Sequence, residues 1–428
     1  MNSLIIFSLL VALMLTGMPI SISLGLTVLS FLFFMTHVPV ESVALKLFTG
    51  IEKFEIMAIP FFILAGNFLT HGGVARRMIK FATSMVGHWH GGLGLGGVVA
   101  CALFAAVSGS SPATVVAIGS ILMPAMVRAG FPKRFGAGVI TTSGALGILI
   151  PPSIVMVMYS VSTNTSVGAL FMAGVIPGLV MAAMLGMTTW YRAWKNDYPR
   201  QPKASWRERW VAFRESAWGL FLIVVVMGGI YSGIFTPTEA AAMSAVYAFF
   251  VAVFIYKDMG LKDVPRVLLS SANMSAMLLY IITNAVLFSF LMTHENIPQE
   301  MANWMIGTGV GVIGFLLIAN VLMLIAGNFM EPSSIVLILA PILFPIATKL
   351  GIDPVHFGIL MVVNMEVGMC HPPVGLNLYV SSGITKMGIT ELTVAVWPWL
   401  LTMLVFLVIV TYWPPLSLWL PRTLGMIG

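Results

Sequence analysis

The sequence predicts an all-α integral membrane protein built from two inverted-topology repeats. Of its residues, 59% are hydrophobic and 8% are charged, whereas charged residues make up about a quarter of an ordinary soluble domain. The stretch GALGILIPPS around Gly147 recurs as GMCHPPV around Gly368, 221 residues later. Segments that flank the two copies differ in basic charge, which indicates opposite orientations in a bilayer.

Matched prolines and polar residues define the repeat. The segment VSGSSPATVVAIGSILMP (107–124) aligns with AGNFMEPSSIVLILAPILFP (326–345). The matched pairs are Pro112 with Pro332, Thr114 with Ser334, Ser143 with Asn364, Gly147 with Gly368, Pro151 and Pro152 with Pro372 and Pro373, and Pro177 with Pro398. The chain therefore consists of two related halves.

Each half is predicted to contain one re-entrant helical hairpin and one helix broken by prolines. The hairpins are 91–130, around the tip SGSSP, and 309–350, around the tip NFMEPSS; the broken helices are 135–163 and 354–385. Adjacent prolines remove backbone donors and clash with the preceding turn, so a helix must kink or break there. Inside a bilayer, such a break is tolerated only where protein or a water-filled cavity satisfies the freed groups. Two breaks at matched positions therefore indicate a site.

The charges around the hairpins predict their orientation. Basic residues flank the first hairpin at both ends, whereas the connection before the second, 294–304, contains no Lys or Arg. By the positive-inside rule, the first hairpin enters from the cytoplasm and the second from the opposite face. Transporters with inverted repeats have this arrangement and hold their substrate near the bilayer midplane.

The other segments, 1–90 and 196–308, are predicted to surround these cores. The apolar stretch 3–34 is expected to be one retained membrane helix and not a signal peptide, because it has no basic start and no small-residue cleavage site. The partly polar stretch 40–53 is expected to lie along the membrane interface. Seven of the 21 Lys and Arg residues fall in one connection, about 192–216, which is expected to be a long cytoplasmic loop. This explains the excess of basic residues without a nucleic-acid partner.

Candidate binding residues lie at the hairpin tips and the helix breaks. Four helix starts, after Pro112, Pro152, Pro332 and Pro373, are predicted to converge and to offer unpaired amides and a positive dipole to an anion. The tips and breaks of the core segments contain no Lys or Arg, so amides would hold most of an anionic substrate and a coupled cation would help to neutralise it. Gly and Ser at isolated positions would serve close helix packing equally well.

The candidate residues for substrate or ion binding are Ser110, Ser111, Pro112, Thr114, Ser143, Gly147, Pro151, Pro152, Ser153, Asn328, Glu331, Pro332, Ser333, Ser334, Asn364, Glu366, Gly368, Pro372 and Pro373. A sodium ion is expected to bind through backbone carbonyls near Ser110, Gly147, Asn328 and Gly368. Apart from this coupling ion, no cofactor is expected.

Three titratable residues in the second repeat leave alternatives open. Glu331 and Glu366 lie in apolar segments, where a charge costs roughly 2.5–3.5 kcal/mol on insertion scales, so each is a candidate for the ion or substrate path. Either could instead be protonated or cap a helix start. His371, beside the second proline pair, could titrate or bind substrate, or could be a hydrogen-bonded structural histidine.

At the level of SGSSPAT, GILIPPS, TPTEAAA, MEPSS and HPPVGLN, the sequence resembles the large membrane subunit of TRAP transporters, the tripartite ATP-independent periplasmic family. The resemblance covers essentially the whole chain. The stretches LTGMPISISLGL and IPFFILAGNFLTHGGVARRM look most like the branch that carries four-carbon dicarboxylates such as succinate, malate and fumarate. A permease for another organic acid, such as a sialic acid, is the alternative within the family.

The resemblance implies an elevator-type, sodium-coupled transporter of the bacterial inner membrane. It implies two partners, a periplasmic substrate-binding protein and a small four-helix membrane subunit, the latter expected as a separate polypeptide. It also implies that 91–195 and 309–418 form the moving transport domain, and that 1–90 and 196–308 form the scaffold.

An anion channel is the nearest competing class, because re-entrant hairpins also build selectivity filters. An enzyme is not expected. All four Asp residues lie in polar connections, the HExxH zinc motif is absent from the sequence, and so is a Walker motif.

Overall fold

The structure is a computed structural model of the chain and describes all residues except 1, 37, 308, 310, 329 and 428. Phe329, within the second predicted tip, and residue 310 of the same hairpin thus lie outside the described residues, as do residues 1, 37 and 308 of the flanking segments. Every regular element in the described part is helical. Eight helices there are long and apolar enough to cross a membrane. The predicted all-α membrane protein is confirmed.

The helices of the first half are α1 (Asn2–Leu15), α2 (Ile20–Met35), α3 (Val40–Thr49), α4 (Ala58–His71), α5 (Val74–Val86), α6 (Gly92–Ser108), α7 (Ser111–Arg128), α8 (Lys133–Ser143), α9 (Ile154–Thr163) and α10 (Val167–Lys195). Those of the second half are α11 (Trp206–Tyr231), α12 (Pro237–Phe250), α13 (Val264–His294), α14 (Ile297–Gly307), α15 (Val312–Gly327), α16 (Pro332–Lys349), α17 (Pro354–Cys370), α18 (Leu376–Thr385), α19 (Ile389–Tyr412) and α20 (Pro415–Thr423). Helix α4 is preceded by the 3₁₀ turn Phe54–Met57, and α8 continues into the 3₁₀ turn Gly144–Ile148.

The order of elements in 58–195 recurs in 264–412. Each stretch begins with a membrane-length helix (α4 with its preceding turn, or α13) and a short helix (α5 or α14). A pair of helices joined by a tight turn follows (α6 and α7, or α15 and α16). Next come a helix that ends at the proline pair (α8 or α17), a ten-residue helix (α9 or α18) and a long helix (α10 or α19).

The prediction of one helix over 3–34 is wrong, because the chain reverses between α1 and α2. Asn2 Nδ2 donates to Glu295 Oε2 at 2.7 Å, and a Cβ on Gly25 would lie 2.4 Å from Asn284 Oδ1. These two contacts are about 16 Å apart along α13, whereas a continuous helix from residue 2 to residue 25 would span about 34 Å. Gly17 has a φ of 85°, and Pro19 cannot continue the first helix.

The predicted loop 192–216 is also wrong in extent. Helix α10 continues through Lys195 and α11 begins at Trp206, which leaves only 196–205 as the connection. Ser205 and Glu208 form a reciprocal capping box. The S-x-x-E pattern that signals such a helix start lies in the sequence at these two residues. At TPTE, Thr236 and Glu239 form an equivalent capping box, with Pro237 in the first turn.

Packing between the two halves brings the hairpin tips toward one region. The second arm of each hairpin packs on the ten-residue helix of the other half, α7 on α18 and α16 on α9. The ring of Tyr159 on α9 lies edge-on to Phe344 on α16, with 6.2 Å between centroids. The Tyr159 hydroxyl donates to the Pro354 carbonyl at 2.7 Å. Each hairpin is therefore positioned by both halves of the chain.

Helix α5 is amphipathic, with an apolar face toward the core and a basic polar face. Its apolar face, including Met78 and Ala82, is fully buried. On its polar face, Arg76 and Arg77 pair with Asp258, and the Arg77 guanidinium lies 3.8 Å from the centroid of the Tyr256 ring. Partial burial acts to raise the pKa of Asp258, but the hydrogen bonds and charges of the two guanidinium groups outweigh it and hold that pKa below its usual value.

We expect Asp258→Asn to destabilise the protein at neutral pH by about 1–2 kcal/mol, because it removes two charge-assisted hydrogen bonds from α5. A carboxyl whose pKa is lowered on folding contributes stability above its unfolded pKa and loses it as the pH falls through the folded pKa. The difference in melting temperature between wild type and variant should therefore be largest at neutral pH and shrink below about pH 4. Asp197→Asn, an exposed carboxylate in 196–205, is the control and should leave the melting temperature unchanged. A difference that persists at acidic pH would contradict the ion-pair explanation.

Candidate substrate and ion site

Both hairpin tips and both helix breaks border one cavity of about 400 Å³. The first half contributes the tip Gly109–Pro112 and, from the two sides of its break, Ile148 and Ile154. The second half contributes Glu331, Pro332 and Ser333 from its tip, and Met369 and Leu376 from the two sides of its break. The volume lies within the range of small-molecule sites. The sequence placed these four elements at one site, and the structure brings them together.

The first tip rests directly on the first break. Gly109 ends α6 with a φ of 61°, and a Cβ there would lie 2.9 Å from the Pro152 carbonyl oxygen. A Cβ on Gly147 would lie 2.5 Å from the Ser110 carbonyl oxygen and 2.8 Å from Ser111 Cα. No side chain fits at Gly147 unless the tip moves, so glycine here sets the distance between hairpin and break.

The second tip meets the second break in the same way. A Cβ on Gly368 would lie 3.0 Å from Gly327 Cα, so these two backbones are in direct contact. The Gly375 amide donates to the Asn328 carbonyl at 3.3 Å, and His371 Nδ1 lies 3.0 Å from Asn328 Oδ1. His371 therefore has a structural partner on the tip. The positions expected to supply sodium carbonyls thus lie at the contacts between tip and break, Ser110 and Gly147 in the first half and Asn328 and Gly368 in the second.

A buried polar network joins the first hairpin to the second half. Asn377 Nδ2 donates to Ser111 Oγ at 2.7 Å and to the Thr141 carbonyl at 3.3 Å. Thr141 Oγ1 and Ser381 Oγ are 2.7 Å apart, and Cys370 Sγ lies 3.4 Å from the Thr141 carbonyl. Asn377 is part of the HPPVGLN motif, but it was not among the candidates because its partners are more than 200 residues away.

The four predicted helix starts are not equivalent. Glu331 caps α16: its carboxylate accepts from the Ser334 amide at 3.3 Å and from the Ser333 hydroxyl. Ser153 caps α9 through the Met156 amide. The starts of α7, at Ser110, and of α18, at Gly375, have no side-chain cap. An anion would therefore meet no capping side chain at the starts of α7 and α18, whereas the start of α16 is already occupied by its own carboxylate.

Three buried candidates have oxygens without a hydrogen-bond partner among the described residues. These are Ser143 Oγ, Asn364 Oδ1 and both carboxylate oxygens of Glu366. All three side chains are fully buried, and Asn364 Nδ2 is engaged by Asn320 Oδ1 at 2.8 Å. Unsatisfied buried oxygens are rare and costly, and Ser143 and Asn364 are a repeat-matched pair.

The remaining candidates lie at different depths. Pro151 and Pro152 are buried, whereas Pro372 is partly buried and Pro373 is exposed; both proline pairs are joined by cis peptide bonds. Thr114 is buried, and its hydroxyl bonds back to the Ser110 carbonyl at 2.9 Å. The two breaks, predicted to be alike, are thus buried to different extents.

The cavity also has a wall that the repeat pattern did not predict. Asn67 and Thr70 of α4, and Met274, Met277 and Leu278 of α13, border it. Asn67 also links the two helices, because its Nδ2 donates to Ser271 Oγ at 2.8 Å. Helices α4 and α13 lie outside the segments in which prolines match between the two repeats. The polarity of Asn67 in an apolar helix was the one feature of their sequence that indicated a place beside the cavity.

The described residues contain no group of three or more His, Cys, Asp or Glu side chains that could hold a metal ion. A cation at this site would therefore be coordinated mainly by carbonyl, hydroxyl and amide oxygens, the hard ligands that suit alkali and alkaline-earth ions.

These features define a class, a polytopic helical membrane transporter with discontinuous helices around a central cavity. The family model described as "Tripartite ATP-independent periplasmic transporter, DctM component" matches residues 7–416. The chain therefore belongs to the DctM family of TRAP transporter components, which are multi-pass inner-membrane transport proteins and not enzymes.

Two curated relatives and one solved structure are similar to the chain. It is 77% identical to the C4-dicarboxylate TRAP transporter large permease protein DctM of Rhodobacter capsulatus, over 100% of both chains. It is 54% identical to the protein of the same name from Pseudomonas aeruginosa, over 94% of this chain and 95% of that one. The crystal structure of the Alcanivorax borkumensis YdaH transporter has a TM-score of 0.62, 15% identity and 88% coverage of both chains, so it shares the fold.

We expect Gly147→Ala to destabilise the protein by about 1–3 kcal/mol, because a methyl group there overlaps backbone atoms of the first tip. Solute uptake by the reconstituted protein should fall at least about tenfold, since the tip borders the cavity. The matched control is Gly383→Ala on α18, where an added Cβ meets no atom within 4 Å. Melting temperature in detergent and uptake in proteoliposomes are the measurements. Wild-type values for Gly147→Ala would disprove the close contact between tip and break.

Proposed function

We propose that this chain is the large permease of a TRAP transporter that moves C4-dicarboxylates such as succinate, malate and fumarate into the cell together with sodium ions. The observation that carries the proposal is the cavity between both tips and both breaks, with two uncapped helix starts at its edge. The names of the two similar relatives, which share 77% and 54% of aligned residues, support the substrate class.

A four-carbon dianion fits the electrostatics of the cavity. Its two carboxylates match the two uncapped starts, at α7 and α18, whose first-turn amides and dipoles favour negative charge. No Lys or Arg borders the cavity among the described residues. Glu331 does border it, so a bound dianion would face a third carboxylate. An accompanying cation offsets this repulsion, which is the physical reason for coupling.

Sodium is the coupling ion in this proposal. Of the carbonyl positions expected from the sequence, Ser110 lies against Gly147 at the first tip, and Gly368 lies against Gly327, the neighbour of Asn328, at the second. The unpartnered oxygens of Ser143 and Asn364 lie just before the two breaks. Neutral oxygen donors of this kind suit a hard monovalent cation, and their matched positions favour one ion for each repeat.

We propose an elevator mechanism with inverted repeats. The moving unit is 91–195 with 309–418, which holds the tips and breaks; the scaffold is 1–90 with 196–308, which supplies the opposite wall of the cavity through α4 and α13. Lys53 of the scaffold donates two hydrogen bonds to the moving unit. One goes to the Val161 carbonyl in the last turn of α9, and the other goes to Asn164 Oδ1, just beyond the end of α9, at 2.7 Å. This contact would have to break when the unit moves.

The working complex in this proposal contains two further proteins, a small four-helix membrane subunit and a periplasmic binding protein that delivers the organic acid. The same cavity would serve a permease for another organic acid, such as a sialic acid. It is less suited to an anion channel, because the tips close directly on the breaks at both ends. The uptake experiment distinguishes these functions.

The first experiment reconstitutes the chain with its small subunit in proteoliposomes and measures uptake of labelled succinate. We expect uptake only when the binding protein and an inward sodium gradient are both present, because the dianion needs both delivery and charge compensation. Potassium in place of sodium is the control for ionic strength and membrane potential. Labelled sialic acid, offered with its own binding protein, is the control for substrate class.

Uptake that requires neither sodium nor the binding protein would refute the proposal and favour a channel. Sodium-dependent uptake of sialic acid without uptake of succinate, malate or fumarate would keep the family and correct the substrate.

The elevator mechanism predicts that a covalent cross-link between the moving unit and the scaffold stops transport. Lys53→Cys combined with Asn164→Cys places one thiol on each unit, and a short bis-maleimide should abolish uptake by the double variant. The unmodified double variant should still transport. Arg134→Cys with Glu391→Cys is the matched control: this ion pair, at 3.0 Å, lies within the moving unit, so the same reagent should leave uptake intact. The native thiols, Cys101 and Cys370, are buried. Unchanged uptake in the bridged Lys53–Asn164 protein would contradict relative movement of the two units.

A further inference from the structure

An apolar groove of about 470 Å³ lies on the outside of the protein, away from the candidate site. It runs between the end of α5, helix α6 and helix α10. Its sides are formed by bulky, exposed side chains, among them Leu179, Met187 and Trp190, which are 60%, 61% and 43% exposed. Small residues form the floor, including Ala102, Ala182 and Gly186.

The length of the groove suits an extended hydrocarbon chain. From Leu179 to Trp190, the α10 side covers about 16 Å at the rise of an α-helix. A Cβ added at Gly186 would meet only Leu95 Cδ2, at 3.9 Å, so the floor at this point is open. An isolated exposed apolar patch is normal in a membrane protein. A concave groove that is lined by apolar side chains and has charged residues near one end needs an explanation.

One end of the groove has the composition of a membrane interface. Trp89 and Trp190 border that end, and tryptophan is enriched at the depth of lipid headgroups. The connection 196–205 is held there, because the Gln201 amide donates to the Gly87 carbonyl at 3.0 Å. Arg200 contacts His90 in the same turn.

Arg200 thus lies beside the tryptophan end, and Lys203 follows two residues after the anchored Gln201 in the same connection. Both are exposed. Basic residues at the cytoplasmic edge of a membrane protein attract anionic lipid headgroups, by about 1 kcal/mol for each Lys or Arg. An apolar channel alone would accept any acyl chain, whereas the adjacent charge selects for an anionic headgroup.

We propose that this groove is a binding site for an anionic phospholipid. One acyl chain lies along the floor formed by Ala102, Ala182 and Gly186, and the phosphate lies at Arg200 and Lys203. The lipid would contact α5 and the 87–90 turn on one side and α6 and α10 on the other. A helix from another protein is the competing occupant, because small residues four apart, such as Ala182 and Gly186, also favour helix packing; the cations at the end of the channel favour the lipid.

The test uses the full-length chain purified in mild detergent, with phosphatidylglycerol and phosphatidylcholine as probes. Native mass spectrometry measures retained lipid, and the melting temperature measures stabilisation. We expect wild type to retain phosphatidylglycerol in preference to phosphatidylcholine, by about fivefold for each cation, and to melt at a higher temperature when it is added. Gly186→Leu should fill the channel and lose both effects.

Two further variants keep the test decisive. Gly228→Leu, at an exposed site on α11 where an added Cβ meets no atom within 4 Å, should behave like wild type. Arg200→Gln with Lys203→Gln changes only surface residues and should abolish the preference for phosphatidylglycerol while lipid is still retained. The proposal fails if wild type shows no preference, or if Gly186→Leu retains lipid as wild type does. It also fails if Gly186→Leu releases a co-purified small subunit instead of lipid.

Discussion

The structure depends on satisfying backbone groups where a helix stops inside an apolar region. The helix before each proline pair stops in an apolar segment, and its freed amides and carbonyls need partners in the protein or in a water-filled cavity. Each break is covered by a hairpin tip of its own half, and the contact is so close that Gly147 and Gly368 cannot carry a side chain. Hairpin, break and cavity therefore form one unit.

The way the two halves pack adds the second constraint. Because α7 lies on α18 and α16 lies on α9, neither hairpin can be positioned by its own half alone. The bond between Ser111 and Asn377 crosses the same boundary inside the core. A change at one tip is therefore expected to affect the helix of the other half on which that hairpin packs.

The helix starts at the tips and breaks have similar positions in the two halves, but they differ in whether a side chain caps them. The carboxylate of Glu331 already satisfies the first turn of α16, and the starts at Ser110 and Gly375 lack a side-chain cap. This difference separates four similar helix starts into two without a side-chain cap and two that are capped. In the proposed function, the uncapped starts face the substrate and an accompanying cation offsets its charge.

The sequence by itself determined the membrane class, the matched prolines and the elements that border the cavity, because these depend on composition and on residues that act on their own backbone. Proline stops a helix wherever it stands, and Thr236 with Glu239 caps one within a single turn. The prediction from the sequence was wrong at 3–34, although Gly17 and Pro19 indicate a reversal there. It was also wrong at 192–216, although Ser205 and Glu208 indicate a helix start. Only the tertiary structure decided that Glu331 is a cap, that Asn377 bonds Ser111, and that α4 and α13 supply the facing wall. Some of these contacts join side chains from distant parts of the chain. Others depend on which of several possible partners lies within reach. The spacing of residues along the sequence gives neither kind of information.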